Sequence, residues 1–170
     1  MNLVVIVVLV ALAIGIALAA LKAKSAPRET TAKPEVYYLK KSLFSPAERS
    51  FLGVLEALDY DGVTIASKVR LADIFGIKKG LARGDRQRAL NRISAKHVDF
   101  LLIQSSDGQP LLGVELDDGS HAEGDRVARD LFVDSVFSSA ALPILHVVAK
   151  AAYDPKEVHR QIDEALGKKS

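Results

Sequence analysis

Two short apolar runs joined by a polar turn constrain this chain more than any other feature. The first reads His97-Val98-Asp99-Phe100-Leu101-Leu102-Ile103. The second reads Pro110-Leu111-Leu112-Gly113-Val114-Glu115-Leu116-Asp117 and runs on into Asp118-Gly119-Ser120-His121, with a Ser/Asp/Gly cluster from Gln104 to Gln109 between the two. Runs of Leu, Ile and Val bounded by such a cluster predict a β-hairpin. Side chains alternate along a strand, so Glu115 and Asp117 project to the same side, and Asp99 on the neighbouring strand can converge with them. Carboxylates crowded at the end of a buried sheet repel one another and resist ionising unless a cation lies between them. A divalent ion removes that penalty. The competing reading is turn chemistry and surface ion pairs, for which Asp117-Asp118-Gly119 is adequate by itself.

The rest of the chain supplies elements to enclose such a hairpin. Ser45-Pro46-Ala47-Glu48 carries a helix start, with Ser45 as cap, Pro46 at the first position and Glu48 closing a capping box. Phe51, Leu52, Leu55 and Leu58 give that helix an apolar face up to a stop near Asp61-Gly62. Val63-Thr64-Ile65-Ala66 reads as a strand, and Val69 to Phe75 either continues it or forms a turn of helix. Asp85 is expected to cap a helix running to about Ala95, with Leu90 and Ile93 turned to the core. A further helix is predicted over Asp125–Ala140, a strand over Leu142–Val148, and a last helix after Asp154-Pro155-Lys156-Glu157 by the same capping logic. The order helix, strand, basic helix, strand, strand, helix, strand, helix argues for an α/β fold. Its mixed central sheet is flanked by helices, with the hairpin near the middle.

The N-terminus differs from the rest. Leu3 to Leu21 holds no charged residue, and nineteen helical residues rise about 28 Å, close to the roughly 30 Å core of a bilayer. Lys22, Lys24, Arg28 and Lys33 follow the segment and no basic residue precedes it. That asymmetry predicts a single-pass anchor in the inner, cytoplasmic membrane, with the body of the protein in the cytoplasm. A cleavable signal peptide ending near Ala17-Leu18-Ala19 is the rival, opposed by the missing basic start and the long apolar run. The expected organisation is therefore an N-terminal transmembrane helix over 1–24, a polar linker over 25–35, and a folded domain over 36–170 that begins near Val36-Tyr37-Tyr38-Leu39. The whole 170-residue chain contains no cysteine, which excludes disulfides, thiolate metal sites and cysteine nucleophiles. No Gly-rich phosphate loop ending in Gly-Lys-Ser/Thr and no Gly-x-Ser-x-Gly is present.

Ile77 to His97 is basic: Lys78, Lys79, Arg83, Arg86, Arg88, Arg92 and Lys96 face the single acid Asp85. Such a segment can follow a phosphodiester backbone, lie against anionic lipid, or form a solvated helix face. Aromatics for stacking bases are not interleaved with it. His97, His146 and His159 are expected to be structural or exposed.

Taken together, Leu43-Phe44-Ser45-Pro46-Ala47-Glu48-Arg49, Asn91 to Phe100 and Leu112 to His121 resemble the bacterial family called domain of unknown function 2726. Beyond it they resemble the PD-(D/E)XK nuclease superfamily, in its branch around the very-short-patch-repair endonucleases. The resemblance spans about Tyr37 to Leu166. It implies a restriction-endonuclease-like sheet and, by analogy, DNA as substrate with Mg²⁺ (or Mn²⁺) as cofactor. Asp99 and Glu115 then correspond to the metal-binding acids, with Asp117 as an additional ligand and Glu48 as a further acid from the first helix. Asp117 stands where the superfamily carries its lysine. His121 corresponds to the histidine used near the scissile phosphate, and Lys96 is a candidate for the missing positive charge. Arg83, Arg86, Arg88 and Arg92 are the candidates for holding the nucleic-acid backbone. The departure at Asp117 leaves open a second expectation: a catalytically inactive domain that binds nucleic acid, anionic lipid or a protein partner at the membrane.

Overall fold

The computed structural model describes residues 36–58, 60–117 and 124–168, with 2, 11–14 and 16 upstream; over 124–130 the description is of backbone alone. The chain divides into two compact units, Met1–Lys41 and Ser42–Ser170. In the first, residues 11–14 and 16 are helical, and Val36, Tyr37, Tyr38 and Leu39 are exposed. The second unit begins at Ser42, just after the apolar run at 36–39. Among the described residues no helix is long and apolar enough to cross a membrane. The expected anchor over 1–24 falls mostly outside the described residues, and the linker over 25–35 wholly so.

The second unit is a mixed α/β structure. It runs α1 (Pro46–Ala57), β1 (Val63–Arg70), α2 (Leu71–Ile74), α3 (Arg83–Ser94), β2 (His97–Gln104), β3 (Pro110–Asp117), α4 (Gly124–Ser139), β4 (Ile144–Val148) and α5 (Pro155–Ala165). The strands lie in the order β1-β2-β3-β4; β1, β2 and β3 form an antiparallel meander, and β4 joins β3 in parallel. A parallel neighbour needs a crossover, which the segment containing α4 supplies. The expected hairpin is thus the middle of the sheet. Its turn closes through Gly108, at φ +77°, whose N–H donates to the Gln104 carbonyl at 2.9 Å. A glycine meets that left-handed requirement without a Cβ clash.

Each face of the sheet has its own core. Phe51, Leu55, Phe100, Leu102, Leu112, Val114, Val158 and Ile162 bury one face under α1 and α5. Leu71, Ile93, Val98, Leu101, Val133 and Phe137 bury the other under α2, α3 and α4. With each full burial of a Leu or Phe side chain contributing roughly 1.5–3 kcal/mol, these two layers are the main reason the sheet is flat against helices on both sides.

Local signals explain most boundaries. The capping box at Ser45 forms as expected, with the Glu48 N–H donating to Ser45 Oγ and the Ser45 N–H to the Glu48 carboxylate. Asp154 caps α5 by accepting from the Lys156 N–H, whereas Glu157 turns to Arg160 and Gln161 instead of closing a box. The expectation at Asp85 fails. The helix starts one turn earlier, after Ala82, so Asp85 lies within its first turn and pairs with Arg88 at 2.5 Å, an (i, i+3) neighbour on the helix surface. Leu90, expected to face inward, is exposed, and Ile93 is the buried residue of that helix.

β1 and β2 both break strict alternation. On β1, Ile65 packs on the α1 face, whereas Ala66 and Val69, three apart, both pack on the other. On β2, Val98 and Leu101 are also three apart and share that second face, with Phe100 on the first. A strand of period two cannot do this without a slip. Lys68, at φ +56°, lies within the slip on β1, and Asp99 within the slip on β2; the pairs Ser67↔Phe100 and Val69↔Val98 bracket them.

Gly113 on β3 tests the second core. A Cβ built there would lie 2.4 Å from Phe137 Cε1, and Phe137 is itself fixed edge-on against Phe75 at 4.9 Å. Gly113→Ala is expected to lower the unfolding free energy by about 1–3 kcal/mol through overpacking. Urea titration checks it, and a Phe137→Leu background should recover part of the loss.

Candidate functional site

Asp99 is the one buried charged residue among the described residues, at 9 % exposure. Burial of an ionised carboxyl is costly unless its oxygens are satisfied. One oxygen accepts the Leu116 N–H across the hairpin at 3.0 Å, and the other accepts from Lys68 Nζ at 3.1 Å. The Lys68 ammonium also reaches Glu48 Oε1 on α1, while the second Glu48 oxygen accepts the Ser45 N–H at 2.7 Å. Glu115, on β3, is the other acid that acts on the Asp99 carboxyl. Three acids from α1, β2 and β3 and a lysine from β1 therefore form one connected cluster.

The electrostatics follow from these partners. Burial alone would push the Asp99 carboxyl up, but the Leu116 N–H, the Lys68 ammonium and Glu115 outweigh it and hold it below the ordinary carboxylate value. Burial likewise disfavours charge on Lys68, yet Glu48 and Asp99 raise its pKa above that of a free lysine. Lys68 is charged at neutral pH. The left-handed backbone at Lys68 costs about 1–2 kcal/mol for a residue with a Cβ, and the ion pairs it allows offset that strain.

A second polar group lies on β4, where His146 stands across from Glu115 in the parallel register. His146 Nδ1 lies 3.1 Å from Asp117 and its Nε2 2.9 Å from Asp134 on α4. Burial works against the imidazolium, but Asp134 and Asp117 together raise its pKa above 6.5. Asp117 is thus turned toward His146, the residue that stands across from Glu115 two positions earlier on its own strand. Its carboxylate ties β3 to β4 and, through Asp134, to α4.

The remaining expected residues distribute as follows. Lys96 lies over the ring of Phe132 at 5.7 Å, and it is Lys68 that brings positive charge to the acids. His121, with Asp118, Gly119 and Ser120, lies outside the described residues. Arg83, Arg86, Arg88 and Arg92 are exposed on α3. Arg88 is engaged by Asp85, Arg86 donates to the Ile77 carbonyl at 3.2 Å, and Arg92 stacks on Phe132 at 4.1 Å. His159 pairs with Asp163 at 3.0 Å and His97 is half-buried. Sequence reasoning missed Lys68 and the pair Asp134–His146. The available signal for Lys68 was a single cation inside the small and apolar stretch Thr64-Ile65-Ala66-Ser67-Lys68-Val69.

A cleft of about 520 Å³ opens beside Glu48, lined by Ser45, Pro46, Leu116, Ala149 and Lys150 among others. Its size is that of a small-ligand site. Among the described residues no group of three or more His, Asp or Glu converges so as to hold a metal ion, and the cation between Glu48 and Asp99 is the Lys68 ammonium.

Fold and site together define an α/β domain with a four-stranded mixed sheet and an acid–lysine cluster at one end of its central hairpin. The chain belongs to the family described as "Protein of unknown function (DUF2726)", which it matches over residues 40–166. No curated protein and no solved structure matches it.

Two measurements probe this arrangement. Removing the ammonium leaves two largely buried acids without their cation, so Lys68→Ala is expected to cost about 2 kcal/mol of unfolding free energy in urea. Lys68→Gly should lose about 1 kcal/mol less than Lys68→Ala, because glycine accepts the left-handed backbone freely. For His146 the folded state holds the proton more tightly than the unfolded chain does. Its stabilisation is therefore complete below the unfolded value of 6.5 and is lost as pH rises through the raised folded value. Urea unfolding across that window should show stability falling with pH, and His146→Gln should remove that slope.

Proposed function

We propose that this chain is a membrane-anchored, nuclease-like protein that hydrolyses phosphodiester bonds of DNA with Mg²⁺ or Mn²⁺. The observation that carries this reading is the cluster of Glu48, Lys68, Asp99 and Glu115, with acids on the second and third strands of an antiparallel meander and a lysine beside them. That is the set of groups implied by the resemblance to the PD-(D/E)XK superfamily, except that the lysine comes from β1 and not from the position of Asp117. The apolar run Leu3–Leu21 and the basic residues after it support an anchor in the cytoplasmic membrane with the domain inside.

The donor set suits the ion. Asp99 and Glu115 offer hard oxygen donors in contact with one another, and Mg²⁺ commonly takes one or two carboxylates and fills its other positions with water and phosphate oxygens. When bound, it supplies Lewis-acid stabilisation of phosphoryl charge. The chain's own residues do the rest. Lys68 fixes the Asp99 carboxylate, and Glu48 holds Lys68 while it caps α1. The cleft gives a phosphodiester room beside Glu48 and Leu116, with Lys150 on its wall to meet the phosphate charge. The exposed arginines of α3 attract the polyanion.

A second reading draws on the same cluster. The Lys68 ammonium already bridges Glu48 and Asp99, as a cation would, and Asp117 occupies the usual lysine position, which favours an inactive domain that binds nucleic acid, anionic lipid or a protein partner. Plasmid nicking by the full chain separates the two readings. The nuclease reading expects relaxed circles only with Mg²⁺ or Mn²⁺, and at least a hundredfold loss in Glu115→Gln and in Lys68→Met. Salt-dependent DNA retention without nicking supports the inactive domain, and nicking that persists in Glu115→Gln overturns the assignment of the site.

A further inference from the structure

On the opposite face of the sheet from α1, the loop after α2 and the helices α3 and α4 enclose a groove of about 260 Å³. Phe75, Ile77, Ile93 and Phe132 give it an apolar floor, and Lys78 and Arg92 stand at its edge. Among the described residues no acid lines it, and neither cation has a carboxylate within ion-pair distance. The Arg92 guanidinium is held over the Phe132 ring at 4.1 Å, which fixes its plane without using its N–H donors. Arg86 ties the loop to α3 by donating to the Ile77 carbonyl at 3.2 Å, so the groove has a braced wall.

An apolar floor with two cations at one edge, neither of them paired among the described residues, is complementary to one kind of ligand. A free phosphate cannot use the floor, and a neutral hydrocarbon cannot use the cations. We propose that this groove binds a small amphiphilic anion: a compact apolar body of about naphthalene size carrying a single carboxylate or phosphate head. The body lies against Phe75, Ile77 and Phe132, and the head takes charge-assisted hydrogen bonds from Lys78 and Arg92. The site is separate from the acid–lysine cluster and does not depend on the activity proposed for it.

Calorimetry on the full chain tests the assignment with 1-naphthyl phosphate as probe and with inorganic phosphate and 1-naphthol as its two halves. 1-Naphthyl phosphate is expected to bind at least tenfold more tightly than either half. Arg92→Gln and Lys78→Gln should each weaken it about tenfold while leaving 1-naphthol unchanged, and Ala89→Leu, which fills the groove from α3, should weaken both aryl compounds. Lys78 is exposed and its variant decides the matter should the Arg92 or Ala89 variant fail to fold. Equal affinity for inorganic phosphate would reduce the site to surface charge and overturn the proposal. Unchanged binding in Lys78→Gln, or no binding of 1-naphthyl phosphate at all, overturns it as well.

Discussion

A carboxylate enclosed in a hairpin sets the terms for the rest of this domain. Asp99 cannot be moved to solvent without dislodging Val98 and Phe100, which anchor the cores on the two faces of the sheet. It has to be neutralised where it stands, and the neighbouring strands provide the means: a backbone N–H from Leu116 and an ammonium from Lys68. The simultaneous slips in β1 and β2 bring lysine and aspartate together at facing positions in the register. The irregularity of the sheet and its polar cluster are one feature, seen once in the backbone and once in the side chains.

Two consequences of this arrangement join the faces of the sheet. Glu48 lies at the start of α1, on the side of the first core, yet it completes the charge balance of a cluster that opens toward the end of β3. His146 does the equivalent work at the other edge, holding Asp117 and Asp134 so that β3, β4 and α4 share one polar clasp. Each hydrophobic layer is thereby fastened at its rim by charges that came from a different element. Such clasps contribute register more than net stability, since each charged group also loses hydration.

Local chemistry made much of the fold legible. The capping box at Ser45, the Asp–Gly turn at Gly108 and the apolar runs of β2 and β3 are all decided within a few residues, and each is found where the sequence puts it. The site was only half legible for the same reason. Asp99 and Glu115 stand out as acids inside apolar runs, but the partner of Asp99 is 31 residues away on a strand whose phase slips. No periodicity reveals that Lys68 turns inward. Asp117 looks from its spacing like a companion of Glu115, yet His146, brought alongside by the parallel strand, is the nearer cation. Asp85 and Leu90 were misread because helix α3 is held mainly by Ile93, so its other positions answer to solvent and to one another.

The left-handed lysine also bears on how the molecule behaves among copies of itself. β1 is an outer ribbon of the sheet, the kind of edge along which a foreign strand can add hydrogen bonds. At Lys68 that edge loses its regular pleat, and the exposed Arg70 places a charge on it two residues further on. An incoming strand finds no uninterrupted ladder there. The same kink that serves the buried acid guards the open side of the sheet against self-association.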